Sequence, residues 1–272
     1  MYRRNPVTLR WEIVESLPRP DITPTTFGNF GWDVAIGSDD TIYVGAPYQK
    51  NAAEDVVGAL YVYRKDGDVW PLPPDPLSVG AKGDEFGWSV AVDDDGSLVV
   101  GAIKAASISP ESGGVPRAGV VYEYDIKTDG SITLTQTLDA GANAVDGGEY
   151  GYSVDLNNSQ GTNNDYLVVG QRNEDGVGSI YIYKWSELTS PDDHIFSFQG
   201  SFFEGGLRGR FGTAVAVDEA ANLLAGAPGE DVGNLINAGA VYPKKLQGAN
   251  NIAAEPDARI PPKSTDIPTF SP

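Results

Sequence analysis

Bulky and small residues alternate along four short stretches of the chain: Phe30 to Ile36, Phe86 to Val92, Tyr150 to Leu156 and Phe211 to Val217. In each, the first, third, fifth and seventh positions are large and mostly apolar, whereas the second, fourth and sixth are Gly, Ala, Ser or Asp. Successive side chains of a strand point to opposite faces, so this period of two predicts strands with one bulky and one narrow face. The starts lie 56, 64 and 61 residues apart, which marks one supersecondary unit used four times.

Three further elements recur in each unit. The second ends in Gly-Ala-Pro or a relative: Gly45-Ala46-Pro47, Gly101-Ala102-Ile103, Gly170-Gln171-Arg172 and Gly226-Ala227-Pro228. The third runs from a glycine into tyrosine, at Gly58 to Tyr63, Gly119 to Tyr124, Gly178 to Tyr183 and Gly239 to Tyr242. A looser fourth covers Leu9 to Val14, Val69 to Leu77, Ile132 to Leu138 and His194 to Phe198. All are short, β-branched or aromatic, and bounded by Gly, Asp, Asn or Pro, which predicts an all-β chain. A strand with one bulky and one narrow face suits sheets packed face to face around a crowded axis, the geometry of a propeller blade.

The ordered aromatic-Gly, Gly-Ala-Pro-like and Gly-x-[LVI]-Tyr sets resemble the FG-GAP repeat, the blade unit of the integrin alpha-subunit head. The resemblance covers roughly residues 8 to 246 and implies a β-propeller of four four-stranded blades, with the aromatic-Gly strands innermost. It implies that the strand around Trp11 becomes the outer strand of the last blade and closes the ring, leaving a monomer. Pro243 departs from the pattern, because proline cannot donate to a sheet ladder and belongs at an edge or strand end. Integrin-like heads have seven blades, so a longer array is the alternative to four closed blades. Residues 1–246 are thus expected to form the propeller. Residues 247–272, rich in Pro, Ser and Thr towards their end, are expected to be a linker or stalk.

Composition narrows the partners. The formal charge of −19 disfavours nucleic acid, which is bound through clustered Lys and Arg, and favours solubility or a basic partner surface. The absence of cysteine rules out disulfides, thiolate catalysis and cysteine-held metals. There is no run of 18 apolar residues, so no direct membrane insertion by a helix is expected, and no apolar signal region follows Met1-Tyr2-Arg3-Arg4. The family resemblance nevertheless implies an extracellular or cell-surface setting. Asn157-Asn158-Ser159 is a glycosylation sequon, although one in a chain of this length carries little weight.

Candidate chemistry lies in the connections. Integrin-like repeats often carry a calcium cage between the first strand and Gly-Ala-Pro. Only 15 residues separate the aromatic from that glycine in the first, second and fourth units, too few for such a cage. Asp39-Asp40 and Asp93-Asp94-Asp95-Gly96 are read as hairpin turns. The third unit has 20 residues and offers Asn157, Ser159 and Asp165, a donor set with one carboxylate. Weak calcium binding is the most it supports, and no cofactor is required.

His194, the only histidine, has no nucleophile-elbow or metal motif beside it and reads as structural. Glu174-Asp175 and Glu230-Asp231 recur in one loop position, which points to turn chemistry rather than a glycosidase pair. Lys50, Arg172, Phe203, Arg208 and Arg210 are the candidate ligand contacts, with Lys104 on the same implied face. The expected function is a non-enzymatic binding or adhesion module that takes a protein or glycan through its loops. A lectin-type or polysaccharide-acting domain is the alternative, and a structural spacer the third reading.

Overall fold

Each period-of-two stretch leads its own antiparallel sheet in the computed structural model. The structure describes residues 2–4, 6–13, 17–18, 28–67, 69–73, 76–108, 110, 113–158, 165–173, 177–184, 194–199, 209–231 and 234–246. The expected stalk, 247–272, lies outside them. An N-terminal hairpin, β1 (Tyr2–Arg4) and β2 (Trp11–Ile13), precedes the sheets. The first sheet is β3 (Val34–Ile36), β4 (Ile42–Ala46) and β5 (Ala59–Tyr63). The second is β6 (Phe86–Val92), β7 (Ser97–Ala102), β8 (Val120–Ile126) and β9 (Ile132–Leu138). The third is β10 (Tyr150–Asn158), β11 (Asp165–Gln171), β12 (Ser179–Lys184) and β13 (His194–Gln199). The fourth is β14 (Ala214–Val217), β15 (Asn222–Ala227) and β16 (Ala240–Lys245). Among the described residues the only helical element is a 3-10 turn at Gly141–Asn143.

Aspartates turn the chain between first and second strands, as their sequence positions predict. Asp39 Oδ1 accepts the Thr41 N–H at 2.9 Å, Asp93 Oδ1 the Ser97 N–H at 2.7 Å and Asp218 Oδ1 the Asn222 N–H at 2.8 Å. Prolines explain why the first sheet has no full outer strand. Among the described residues, segment 64–77 packs Trp70 on the first sheet but ladders with it only at the bridge between Leu60 and Leu77, because Pro71, Pro73 and Pro76 have no N–H to donate. Pro243 sits in β16 opposite Leu224 and is tolerated because β16 is an edge strand.

One expectation is corrected here. The strand around Trp11 does not complete the last sheet: β2 pairs with β1, in the register Arg4 to Trp11, and β16 has no strand on its outer side among the described residues. A hairpin loop of a few residues closes at far lower entropic cost than a pairing across the whole chain. The four sheets pack as a row, first on second, second on third, third on fourth, and no comparable packing joins β14 to β3.

The core is correspondingly divided into seams. Tyr43, Leu60, Phe86, Leu98 and Val100 fill the first seam, Val99, Val121, Tyr150 and Leu167 the second, and Val168, Ile180, Phe211 and Leu223 the third. The bulky faces of β6, β10 and β14 point back to the preceding sheet, and the small faces of β3, β6 and β10 point forward to the next. The leading aromatic packs edge-on against a tyrosine of its own third strand: Phe30 on Tyr61, Phe86 on Tyr122, Tyr150 on Tyr181 and Phe211 on Tyr242, at 5.3, 5.4, 5.2 and 5.5 Å. Such contacts favour one orientation of the ring and fix the start of each sheet.

Polar residues on the small face stitch the seams. Ser89 Oγ donates to the Gly151 carbonyl at 2.7 Å and Ser153 Oγ to that of Gly212 at 2.9 Å. Asp155 Oδ2 accepts the Val217 N–H at 2.7 Å, across the third seam. Burial raises the Asp155 carboxyl above its ordinary value, and the two backbone N–H bonds it accepts only partly oppose this. A raised carboxylate favours the folded state fully below its unfolded pKa, and that contribution is lost as pH rises through the folded value. Melting temperature is therefore expected to gain a contribution from Asp155 as pH falls through its raised folded value towards the ordinary carboxylate pKa of about 4, and to lack that contribution in Asp155→Asn. Thermal melts followed by circular dichroism across that range check the difference.

Candidate functional site

The third position of each aromatic-Gly strand takes no part in the seams. Trp32, Trp88 and Tyr152 occupy it in the first three units and form a continuous aromatic row along one end of the sheets. The ring centroids are 4.6 Å apart for Trp32 and Trp88, and 5.4 Å apart for Trp88 and Tyr152. Tyr48, just after Gly45-Ala46-Pro47, stands edge-on to both tryptophans at 6.3 and 6.5 Å. Trp32 is exposed and the other three are half-buried. The glycine before each row residue allows the turn-out: Gly31, Gly87 and Gly151 have φ of +88, +88 and +85°, a region side chains rarely adopt.

A buried ion triad anchors the far end of the row. The Glu149 carboxylate meets Lys104 Nζ at 2.7 Å through Oε1, and Arg172 Nε and Nη2 at 2.7 and 2.6 Å through Oε2. The Arg172 guanidinium lies 4.3 Å from the centre of the Tyr152 ring, and its Nη1 donates to the Tyr152 hydroxyl at 3.3 Å. Glu149 itself has φ of +56°, a left-handed conformation shared by Asn29, Glu85 and Arg210, the residues that precede the other three aromatics. All four units thus enter their first strand through the same strained turn. Tyr48 has its hydroxyl raised above the ordinary value by burial and then by the charge of Glu85. It faces any ligand as a neutral phenol.

The sequence-derived candidates are dispersed. Arg172 joins the aromatic row. Lys50 lies two residues beyond Tyr48 and pairs with Glu54 of its own loop at 3.2 Å. Arg210 is exposed and its carbonyl accepts the Thr213 N–H at the start of the fourth sheet. Phe203 and Arg208 lie outside the described residues, as do Ser159, Glu174 and Asp175. Asn157 donates its side-chain amide to the Asp218 carbonyl of the fourth sheet, and Asp165 is buried at the start of β11. Asp231 Oδ1 accepts the Asn237 N–H at 2.8 Å, turn chemistry of the kind its position suggests. His194 opens β13.

Sequence reasoning overlooked Trp32, Tyr48, Trp88, Tyr152 and Glu149. The signal was present, an aromatic at the same motif position in three units, but alternation alone reads it as one more core residue. Aromatic faces carry negative charge density, so the row offers stacking surface to sugar rings and a seat for cationic groups. Its extent, three rings and a flanking phenol, fits an extended ligand better than a single small molecule.

Comparison with known proteins adds one repeat match and little else. Residues 77–122 match the FG-GAP repeat. None of the curated proteins matches the chain. Among solved structures, the chain is similar to the GH93 alpha-L-arabinofuranosidase of Fusarium graminearum with arabinobiose, at 12% identity and a TM-score of 0.45, over 88% of this chain and 68% of that one. It is also similar to the alpha-L-arabinofuranosidase Arb93A from Fusarium graminearum with an iminosugar inhibitor, at 11% identity and a TM-score of 0.43, over 84% and 65%. At these values neither activity transfers. The segment that matches the FG-GAP repeat includes β6, β7 and the central Trp88 of the aromatic row.

Proposed function

We propose that this protein is a non-enzymatic recognition module of the propeller type, which binds a protein or glycan ligand on the row Trp32, Tyr48, Trp88 and Tyr152. The observation that supports the reading most directly is that three large aromatics leave the packed seams and stack on one another at a surface. Aromatic rings left out of a core forgo burial worth about 1.5–3 kcal/mol each, a cost that binding can repay. The net charge of −19 and the π-faces together favour ligands with cationic or neutral sugar-like surfaces. Arg172, held over Tyr152 by Glu149, supplies a fixed cation to the row and a donor for a ligand hydroxyl or carboxylate. The setting is outside the cell, and binding needs no calcium.

A glycan array and a peptide display screen, each run beside a hydrolysis assay, test the proposal. Saturable binding without turnover is expected, unchanged by chelator. Trp88→Ala should weaken it at least tenfold, about 1.4 kcal/mol or more, while circular dichroism stays that of the parent. Turnover of a polysaccharide that disappears in Trp88→Ala would replace the proposal with the polysaccharide-acting alternative.

A further inference from the structure

The three seams are built alike, and the chain carries both halves of a fourth. In each seam the second-strand glycine, Gly45, Gly101 or Gly170, lies under the carbonyl of the glycine that follows the next sheet's aromatic. A Cβ there would stand 2.1, 2.3 or 2.1 Å from the oxygen of Gly87, Gly151 or Gly212. The glycine that opens the third strand, Gly58, Gly119 or Gly178, meets the carbonyl of Phe86, Tyr150 or Phe211 at 2.1, 2.1 or 1.8 Å in the same sense. The apolar residues flanking these glycines are Tyr43 and Leu60, Val99 and Val121, and Val168 and Ile180, and none is more than 2% exposed.

The fourth sheet repeats every part with nothing against it among the described residues. A Cβ on Gly226 would meet only Ala214 of its own sheet, at 3.5 Å, and one on Gly239 only Pro228 and Ala227 of its own sheet and loop, at 3.5 Å or more. Leu224 and Val241, the equivalents of Val168 and Ile180, are 45% and 39% exposed. At the other end of the row β3 lacks a receiver. Val34 and Ile36, equivalent to the seam residues Val90 and Val92, are 58% and 64% exposed, and a Cβ on Gly31 would meet nothing within 4 Å. The rest of that end is already covered, with Leu17 packed on the first sheet and the Tyr63 hydroxyl bonded to the Pro18 carbonyl at 2.8 Å. What stays open at the head is the part that the tail would receive.

We infer that the free face of the fourth sheet receives β3 of a second copy of this chain, head to tail, in a seam like the three internal ones. The two half-seams lie at opposite ends of one row and do not meet among the described residues, and a second copy would bring them together. Different surfaces on one protomer make a heterologous contact, which closes into a ring of copies or continues as a filament. The charge of −19 on each copy opposes association, so added salt should strengthen it.

Light scattering and sedimentation over a range of concentration and salt should give at least twice the monomer mass. Gly226→Val fills the docking groove from a site with room for a side chain, and Ile36→Arg charges the incoming strand. Each variant alone should run as a monomer with parental circular dichroism. An equimolar mixture should recover a one-to-one dimer, because each copy retains the half that the other has lost. A parent that is monomeric throughout overturns the inference. If Gly226→Val then lowers the melting temperature, the face is closed within the chain; if it does not, the face is bare. Association that survives both substitutions also overturns it, by placing the contact elsewhere. Ligand binding by the aromatic row is scored separately, so the two readings fail independently.

Discussion

Gly170→Ala is expected to destabilise the fold by about 3 kcal/mol, the upper part of the range for overpacking a closed interior. The new methyl would stand 2.1 Å from the Gly212 carbonyl oxygen and 2.4 Å from Ser153 Oγ. Ser153 can rotate away at the cost of its bond to that carbonyl, but the backbone of the next sheet can move only by opening the seam. For a domain of this size each kcal/mol is worth roughly 2–4 °C, so the melting temperature should fall by roughly 6–12 °C. Gly226→Ala makes the same chemical change at the same repeat position. In dilute solution it should leave the melting temperature within a degree or two or raise it slightly, since alanine restricts the unfolded chain by about 0.4–1 kcal/mol. Paired melts of the two variants separate packing from propensity. Equal losses would mean that strand preference, not the seam, governs these glycines.

Glu149→Ala is the second large effect. The carboxylate is buried between Lys104 and Arg172, and its loss takes this shared counter-charge from two neighbouring cations. Removing one member of a buried ion pair costs about 3–5 kcal/mol, and because both cations keep some solvent contact the low end, about 3 kcal/mol, applies here. Denaturant unfolding at neutral pH measures it. Glu149→Gln preserves shape and one acceptor and should lose less. The same substitution should also weaken ligand binding, because Arg172 is held over Tyr152 by this carboxylate. Trp88→Ala, by contrast, should weaken binding with little change in the unfolding midpoint. That divergence distinguishes a positioning residue from a contact residue.

Most of the fold was legible because its signals are local. Aspartate turns, strand alternation and the glycines of the first strand depend on neighbours in sequence, and they recur in four copies that check one another. The N-terminal strand was misplaced because its partner is a matter of competition. A strand of that composition can pair with any open edge, and the nearby β1 wins over the distant β16 on loop entropy. The proline-rich segment after Val69 gave the opposite lesson. Its apolar residues suggested a strand, and the missing N–H groups of Pro71, Pro73 and Pro76 prevented one.

The candidate site was less legible than the scaffold. Arg172 was recognised as a loop cation, yet its role depends on Glu149, 23 residues earlier, and on Tyr152 beneath it. Trp32 and Trp88 are 56 residues apart and meet at 4.6 Å only because two sheets pack in register. No local pattern says which bulky residue of an alternating strand will leave the core.

The sequence alone therefore determined the all-β class, the fourfold unit, the turns and the FG-GAP likeness, since these follow from period, propensity and spacing within one unit. Tertiary structure alone decided which aromatics gather at a surface, which glycines are filled and which are open, and that the described sheets form a row whose two ends do not meet among the described residues. Those outcomes depend on how one unit's face meets another's, a relation between residues some 60 positions apart that no single strand encodes.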